Sequence, residues 1–174
     1  TAAEQAVAGM AASRRAEFEK WLPPPPATLA IPDAIGDFPF GSIEGNKTAN
    51  TLNPGAPASL FESPQSTPGK YGSALLLNGE NGVNLSPGGN FSRDDPFTIA
   101  CWIRSPDKKE RAVLFHRSKA WSDAGSQGYE LLMEGGKLTA SVIHFWPGNA
   151  ISIRTTDALP LNSWTHVAMA YDGS

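Results

Sequence analysis

The run Phe97-Thr98-Ile99-Ala100-Cys101-Trp102-Ile103-Arg104 limits the folds open to this chain more than any other segment. Successive side chains of a β-strand point to opposite faces. Phe97, Ile99, Cys101 and Ile103 therefore share one face, and Thr98, Ala100, Trp102 and Arg104 the other. A helix would scatter these apolar residues around its axis, so the period of two selects a strand. A second run repeats the pattern near the end of the chain. There Trp164, His166, Ala168 and Ala170 alternate with Thr165, Val167, Met169 and Tyr171.

Shorter strands are predicted at 37–40, 73–78, 82–85, 112–116, 129–133, 138–144 and 150–155. Residues 129–133 and 138–144 flank Glu134-Gly135-Gly136-Lys137, a hairpin signal with glycines where positive φ is needed. Residues 41–70 read as polar and turn-rich, and 117–127 as a long polar loop. Many short strands separated by turns describe an all-β antiparallel β-sandwich or barrel. Seventeen Gly and fifteen Pro suit such a loop-rich architecture.

The N-terminal part differs. Residues 1–22 are Ala-rich, with Glu, Arg and Lys, and the apolar positions Val7, Met10, Ala11, Phe18, Trp21 and Leu22 recur at helical spacing. A helix is predicted there. Pro23 to Pro26 end it, because four prolines favour a stiff polyproline-II rod. The expected organisation is a helical connector at 1–22, a Pro-rich linker at 23–36 and a sandwich at 37–174. The chain opens on Thr1, without the charged and apolar regions of a signal peptide, and reads as a piece of a longer polypeptide.

Composition excludes some functions. The formal net charge is −3, and the only basic cluster, Lys108-Lys109-Glu110-Arg111, is interrupted by a carboxylate. That is no footprint for nucleic acid. No apolar run approaches the ~20 residues needed for a membrane-spanning helix. The single cysteine, Cys101, excludes an intrachain disulfide and reads as a small core residue.

Three ordered segments carry a resemblance: Gly69-Lys70-Tyr71-Gly72-Ser73-Ala74-Leu75, then Phe97-Thr98-Ile99-Ala100-Cys101-Trp102-Ile103, then Trp164-Thr165-His166-Val167-Ala168 with Tyr171-Asp172-Gly173. Together they resemble the concanavalin A-like, laminin G-like jelly roll over about residues 37–174. The segment from His116 through Ala150 further resembles laminin G-like modules inserted in large planctomycete-type secreted proteins that also carry a haem c-type domain. That likeness implies an extracytoplasmic, periplasmic or secreted, setting. No Cys-x-x-Cys-His haem attachment site occurs in this chain. Members of the family continue past the Tyr-Asp-Gly turn with further strands. The resemblance therefore implies that another segment or chain completes the sheet.

Candidate chemistry is sparse. Glucanases of this superfamily carry alternating carboxylates on one strand, and a glycosidase needs two carboxyl groups facing the bond. Glu130 and Glu134 are separated by Leu131-Leu132-Met133, and Glu134 begins a turn. No Gly-x-Ser-x-Gly elbow accompanies the three histidines, His116, His144 and His166, and these lack metal-ligand spacing. No catalytic residue and no cofactor is assigned. Related modules often hold Ca²⁺, for which Asp37, Asn46, Asp123 and Asn149 are the weak candidates, each otherwise a solvated turn residue.

Aromatic and planar polar residues cluster instead. Trp121, Tyr129, His144 and Trp146 flank loops bearing Arg117, Asp123, Gln127 and Asn149. Aromatic platforms beside such hydrogen bonders suit a glycan or a cell-surface polymer. The competing reading is that Trp121 and Trp146 cap the sandwich or fix the loop. Phe97, Ile99, Cys101, Trp102, Ile103, Trp164, His166 and Val167 are expected in the structural core. Three functions follow in order: a non-catalytic binding module, an interdomain scaffold that docks on neighbouring domains, and a β-glucanase-type hydrolase.

Overall fold

A computed structural model of the protein describes residues 14–15, 31–85, 88–121 and 125–174, with the backbone alone over 119–121 and 125–126. The chain divides into two compact units, Thr1–Ala34 and Ile35–Ser174. Arg14 and Arg15 are helical. The rest of the helix expected at 1–22, and the linker through residue 30, lie outside the described residues.

Among the described residues, every strand belongs to the second unit. In chain order these are β1 Ile43–Glu44, β2 Lys47–Thr48, β3 Ala58–Phe61, β4 Gln65–Pro68, β5 Ser73–Leu76, β6 Gly82–Asn84, β7 Phe97–Ile103, β8 Arg111–Trp121, β9 Gly125–Glu134, β10 Lys137–Phe145, β11 Asn149–Arg154 and β12 Thr165–Tyr171. They form two four-stranded sheets, ordered β1-β2-β3-β6 and β11-β10-β9-β8, and two antiparallel pairs, β12-β7 and β4-β5. All pairings are antiparallel. The unit is an antiparallel β-sandwich.

The two alternating runs pair with each other. Phe97 stands opposite Tyr171, Ile99 opposite Met169, and Cys101 opposite Val167. Their shared inner face packs on the sheet containing β8, β9 and β10. The cluster is Phe97, Tyr129 and Met169, with Phe91, Ile99, Phe115, Ala140, Val142 and Tyr171 against it. Phe97 is its centre: its ring lies 4.6 Å from Phe91, 4.7 Å from Tyr129 and 5.7 Å from Tyr171. Burying one such side chain contributes about 1.5–3 kcal/mol. Cys101 is partly buried on the same face, and desolvation pushes its thiol above its ordinary value.

Two residues expected in the core lie elsewhere. Trp102 is 39% exposed and His166 is exposed, because the pleat sends both to the outer face. They stand opposite each other in register, with ring centroids 5.1 Å apart. Trp164 is partly buried, and the Arg104 guanidinium carbon lies 5.3 Å from its ring centroid.

Segments expected to be loops contain strands. Residues 41–70 hold β1 to β4. Arg117 to Trp121 continues β8 and pairs with Gly125 to Tyr129. Conversely, 37–40 forms no strand. Phe40 adopts a positive φ of 55°, and Asn50 organises the segment. The buried Asn50 Oδ1 accepts from the backbone N–H groups of Asp37, Leu52 and Asn53. The β9–β10 hairpin turns through Gly135 and Gly136, both at positive φ (58° and 81°), between the paired Glu134 and Lys137.

Candidate functional site

The sheet β8–β11 positions most of the residues singled out from the sequence, and it separates them into two groups. Arg117 on β8 and Tyr129 on β9 are cross-strand partners. Both reach the 88–90 segment. The Tyr129 hydroxyl donates to the Gly89 carbonyl at 2.9 Å. The Arg117 guanidinium donates to the Gly88 carbonyl at 3.3 Å and to Asn90 Oδ1 at 2.9 Å. Tyr129 is buried, and burial pushes its phenol up, with the Arg117 charge opposing in part. These two residues therefore clamp a crossing segment onto the core, with Tyr129 buried and Arg117 exposed.

The second group lies two residues further along the same strands, by the turn into β11. Gln127 Nε2 lies 3.3 Å from His144 Nδ1, joining β9 to β10 on the exposed surface. Phe145 pairs with Asn149 across the turn, after an irregularity in register between Ile143 and Phe145. The Trp146–Pro147 peptide bond is cis. Trp146 is 50% exposed, and Phe145 is equally half-exposed. Sequence reasoning missed Phe145, although it lies between two predicted site residues. An apolar residue at a strand end gives no signal of its exposure until the turn is built.

Trp121 closes the strand β8, with its backbone opposite Gly125. Its side chain and the whole of Asp123 lie outside the described residues. The remaining cation candidates sit on separate elements. Asp37 accepts from the Thr51 hydroxyl, Asn46 offers its carbonyl to the Leu60 N–H, and Asn149 begins β11. Among the described residues, no three His, Cys, Asp or Glu side chains are grouped to hold a metal ion.

The face of this sheet away from the aromatic core carries a polar row that the sequence did not reveal. His116, Glu130, Ser141 and Ser152 stand side by side across β8, β9, β10 and β11. The two serine hydroxyls are 3.0 Å apart. His116 Nδ1 lies 3.0 Å from Ser118 Oγ on its own strand. Glu134 is engaged by the Thr139 hydroxyl at 2.9 Å and by Arg111 at 4.0 Å. Four residues of strand place Glu130 and Glu134 ~13 Å apart along β9. The carboxyl pair of a glycosidase is separated by about 5–9.5 Å.

The fold is that of an antiparallel β-sandwich. The family model described as the Concanavalin A-like lectin/glucanases superfamily, a laminin G type, matches residues 77–174, more than half of the sequence. The chain belongs to that family. Its fold is similar to that of an S-layer domain-containing protein (residues 221–444) from Clostridium thermocellum ATCC 27405. The TM-score is 0.57 at 22% identity, covering 78% of this chain and 67% of that one. No curated protein matches the sequence.

Proposed function

We propose that the sandwich is a non-catalytic module of an extracytoplasmic protein, and that it binds a glycan or cell-surface polymer at the β10–β11 turn. The observation that carries this reading is the half-exposed pair Phe145 and Trp146 beside the Gln127–His144 hydrogen bond. An exposed aromatic face takes the apolar face of a sugar ring, and planar amide and imidazole groups fix its hydroxyls. The separation of Glu130 from Glu134 supports a binding role over hydrolysis. The fold it shares with an S-layer domain-containing protein supports an extracellular setting.

Affinity electrophoresis in gels containing neutral cell-wall polysaccharides tests the site. The chain should be retarded by at least one such polymer. Trp146→Ala should weaken retardation at least tenfold with an unchanged melting temperature, since the indole is half in water. Retardation that survives Trp146→Ala and Gln127→Ala together would remove this turn from the binding surface.

A further inference from the structure

The outer face of the β7–β12 pair carries a second aromatic surface, unconnected with the β10–β11 turn. The β4–β5 hairpin builds part of it. Pro68 pairs with Ser73, and the Gly69 N–H donates to the Gly72 carbonyl at 2.8 Å, so Lys70 and Tyr71 form the tip. Gly72 takes a positive φ of 68°, and a Cβ on Gly69 would lie 2.7 Å from the Ser73 carbonyl oxygen. Both glycines are therefore needed for this tight tip.

The tip reaches the outer face of β7. The Tyr71 ring meets Trp102 edge to face at 5.7 Å. The Lys70 ammonium lies 5.4 Å from the Trp102 centroid and 5.8 Å from that of Tyr71. Two positions along the same face, Arg104 lies over Trp164. Tyr71 is 73% exposed, so the cluster is open to solvent. Neither Lys70 nor Arg104 has an ion pair among the described residues. No outward position of either strand bears a carboxylate, although the chain is acidic overall. Beyond the rings the outward residues are small: Ala100 faces Ala168 and Thr98 faces Ala170. All four are exposed, a strip of low side chains on which an extended polymer can rest.

We infer that this face binds an acidic polysaccharide, its sugar rings resting on Tyr71 and Trp102 and its carboxylates on Lys70 and Arg104. Neutral glycans would leave both cations unused. A protein partner would need apolar knobs over the small residues as well as acid groups over the cations.

Affinity electrophoresis against polygalacturonate, with the carboxyl-reduced polymer as its neutral counterpart, tests the inference on the 174-residue chain. Retardation should be confined to the acidic polymer and should weaken severalfold between low and physiological salt. Lys70→Glu and Tyr71→Ala should each reduce it at least tenfold, while Trp146→Ala leaves it unchanged. Both substituted side chains are surface residues, so the fold can be checked by circular dichroism in the same samples. Equal retardation by the reduced polymer would overturn the inference, as would wild-type behaviour of Lys70→Glu or an absence of retardation. Self-association lost on Tyr71→Ala would reassign the face to a second copy of the chain. Loss of neutral-polymer binding in Trp146→Ala alone would bear only on the β10–β11 turn.

Discussion

Tyr129 illustrates how much a single residue's role depends on what crosses over it. In sequence it is an aromatic residue beside a polar loop, which suits a ligand platform. In the fold its ring closes the core against Phe97, and its hydroxyl is taken by a carbonyl 40 residues away. Tyr129→Phe keeps the ring and leaves the Gly89 carbonyl without its donor. It should cost about 1 kcal/mol in equilibrium denaturation. Arg117→Ala removes the other half of the clamp on the same segment. The two losses should therefore be less than additive in a double-mutant cycle, because both act on residues 88–90. Trp102 makes the complementary point. Its position inside an alternating strand suggested burial, but alternation separates two faces without saying which one is covered. Tyr71, Lys70 and His166 pack around it and leave part of it in solvent.

Among elements, the β8–β9 hairpin departs furthest from the sequence reading. Residues 117–121 show no apolar alternation, so the sequence offers no period there, although their backbone pairs with 125–129. The short strands within 41–70 escaped for a related reason. Two to four residues give too few side chains to set a period, and Asn50 holds that region through hydrogen bonds. Gly128 is the position on which the β8–β9 pairing turns. Its φ of 136° is unfavourable for any other residue, and a Cβ there would run into the Arg117 carbonyl oxygen. Gly128→Ala should destabilise the unit by at least about 3 kcal/mol. Hydrogen exchange should show β8–β9 amide protection falling first, with the β7–β12 pair less affected.

At the scale of the whole molecule, pH reports on the core. Burial raises both the Cys101 thiol and the Tyr129 phenol. The folded state thus holds these protons to higher pH than the unfolded chain does. The unfolded chain releases them first as pH rises, so stability is lost on the alkaline side. The denaturation midpoint should begin to fall near the ordinary thiol value of 9.0 and fall more steeply above the phenol's 10.0. Cys101→Ala should remove the first stage and leave the second. On the acid side, Asp95 and Asp172 are lowered by hydrogen bonds from Ser92 and Ser174. Their contributions are lost as pH falls below the ordinary carboxylate value of 3.8.

Alternation alone decided the class of fold and how the residues of β7 and β12 divide between two faces, because the pleat is a local property of the backbone; packing decided which face turned inward. The glycines at 135 and 136 likewise fixed the β9–β10 turn through their own φ. Tertiary structure decided the rest. It chose which strands share a sheet and laid the 88–90 segment over Tyr129. It also tied Arg117 and Tyr129 to that segment and left Phe145 and Trp146 half-exposed. It set Lys70 and Tyr71 beside Trp102 across some 30 positions of sequence. Such contacts depend on where separate hairpins cross in space, and no spacing along the chain encodes that.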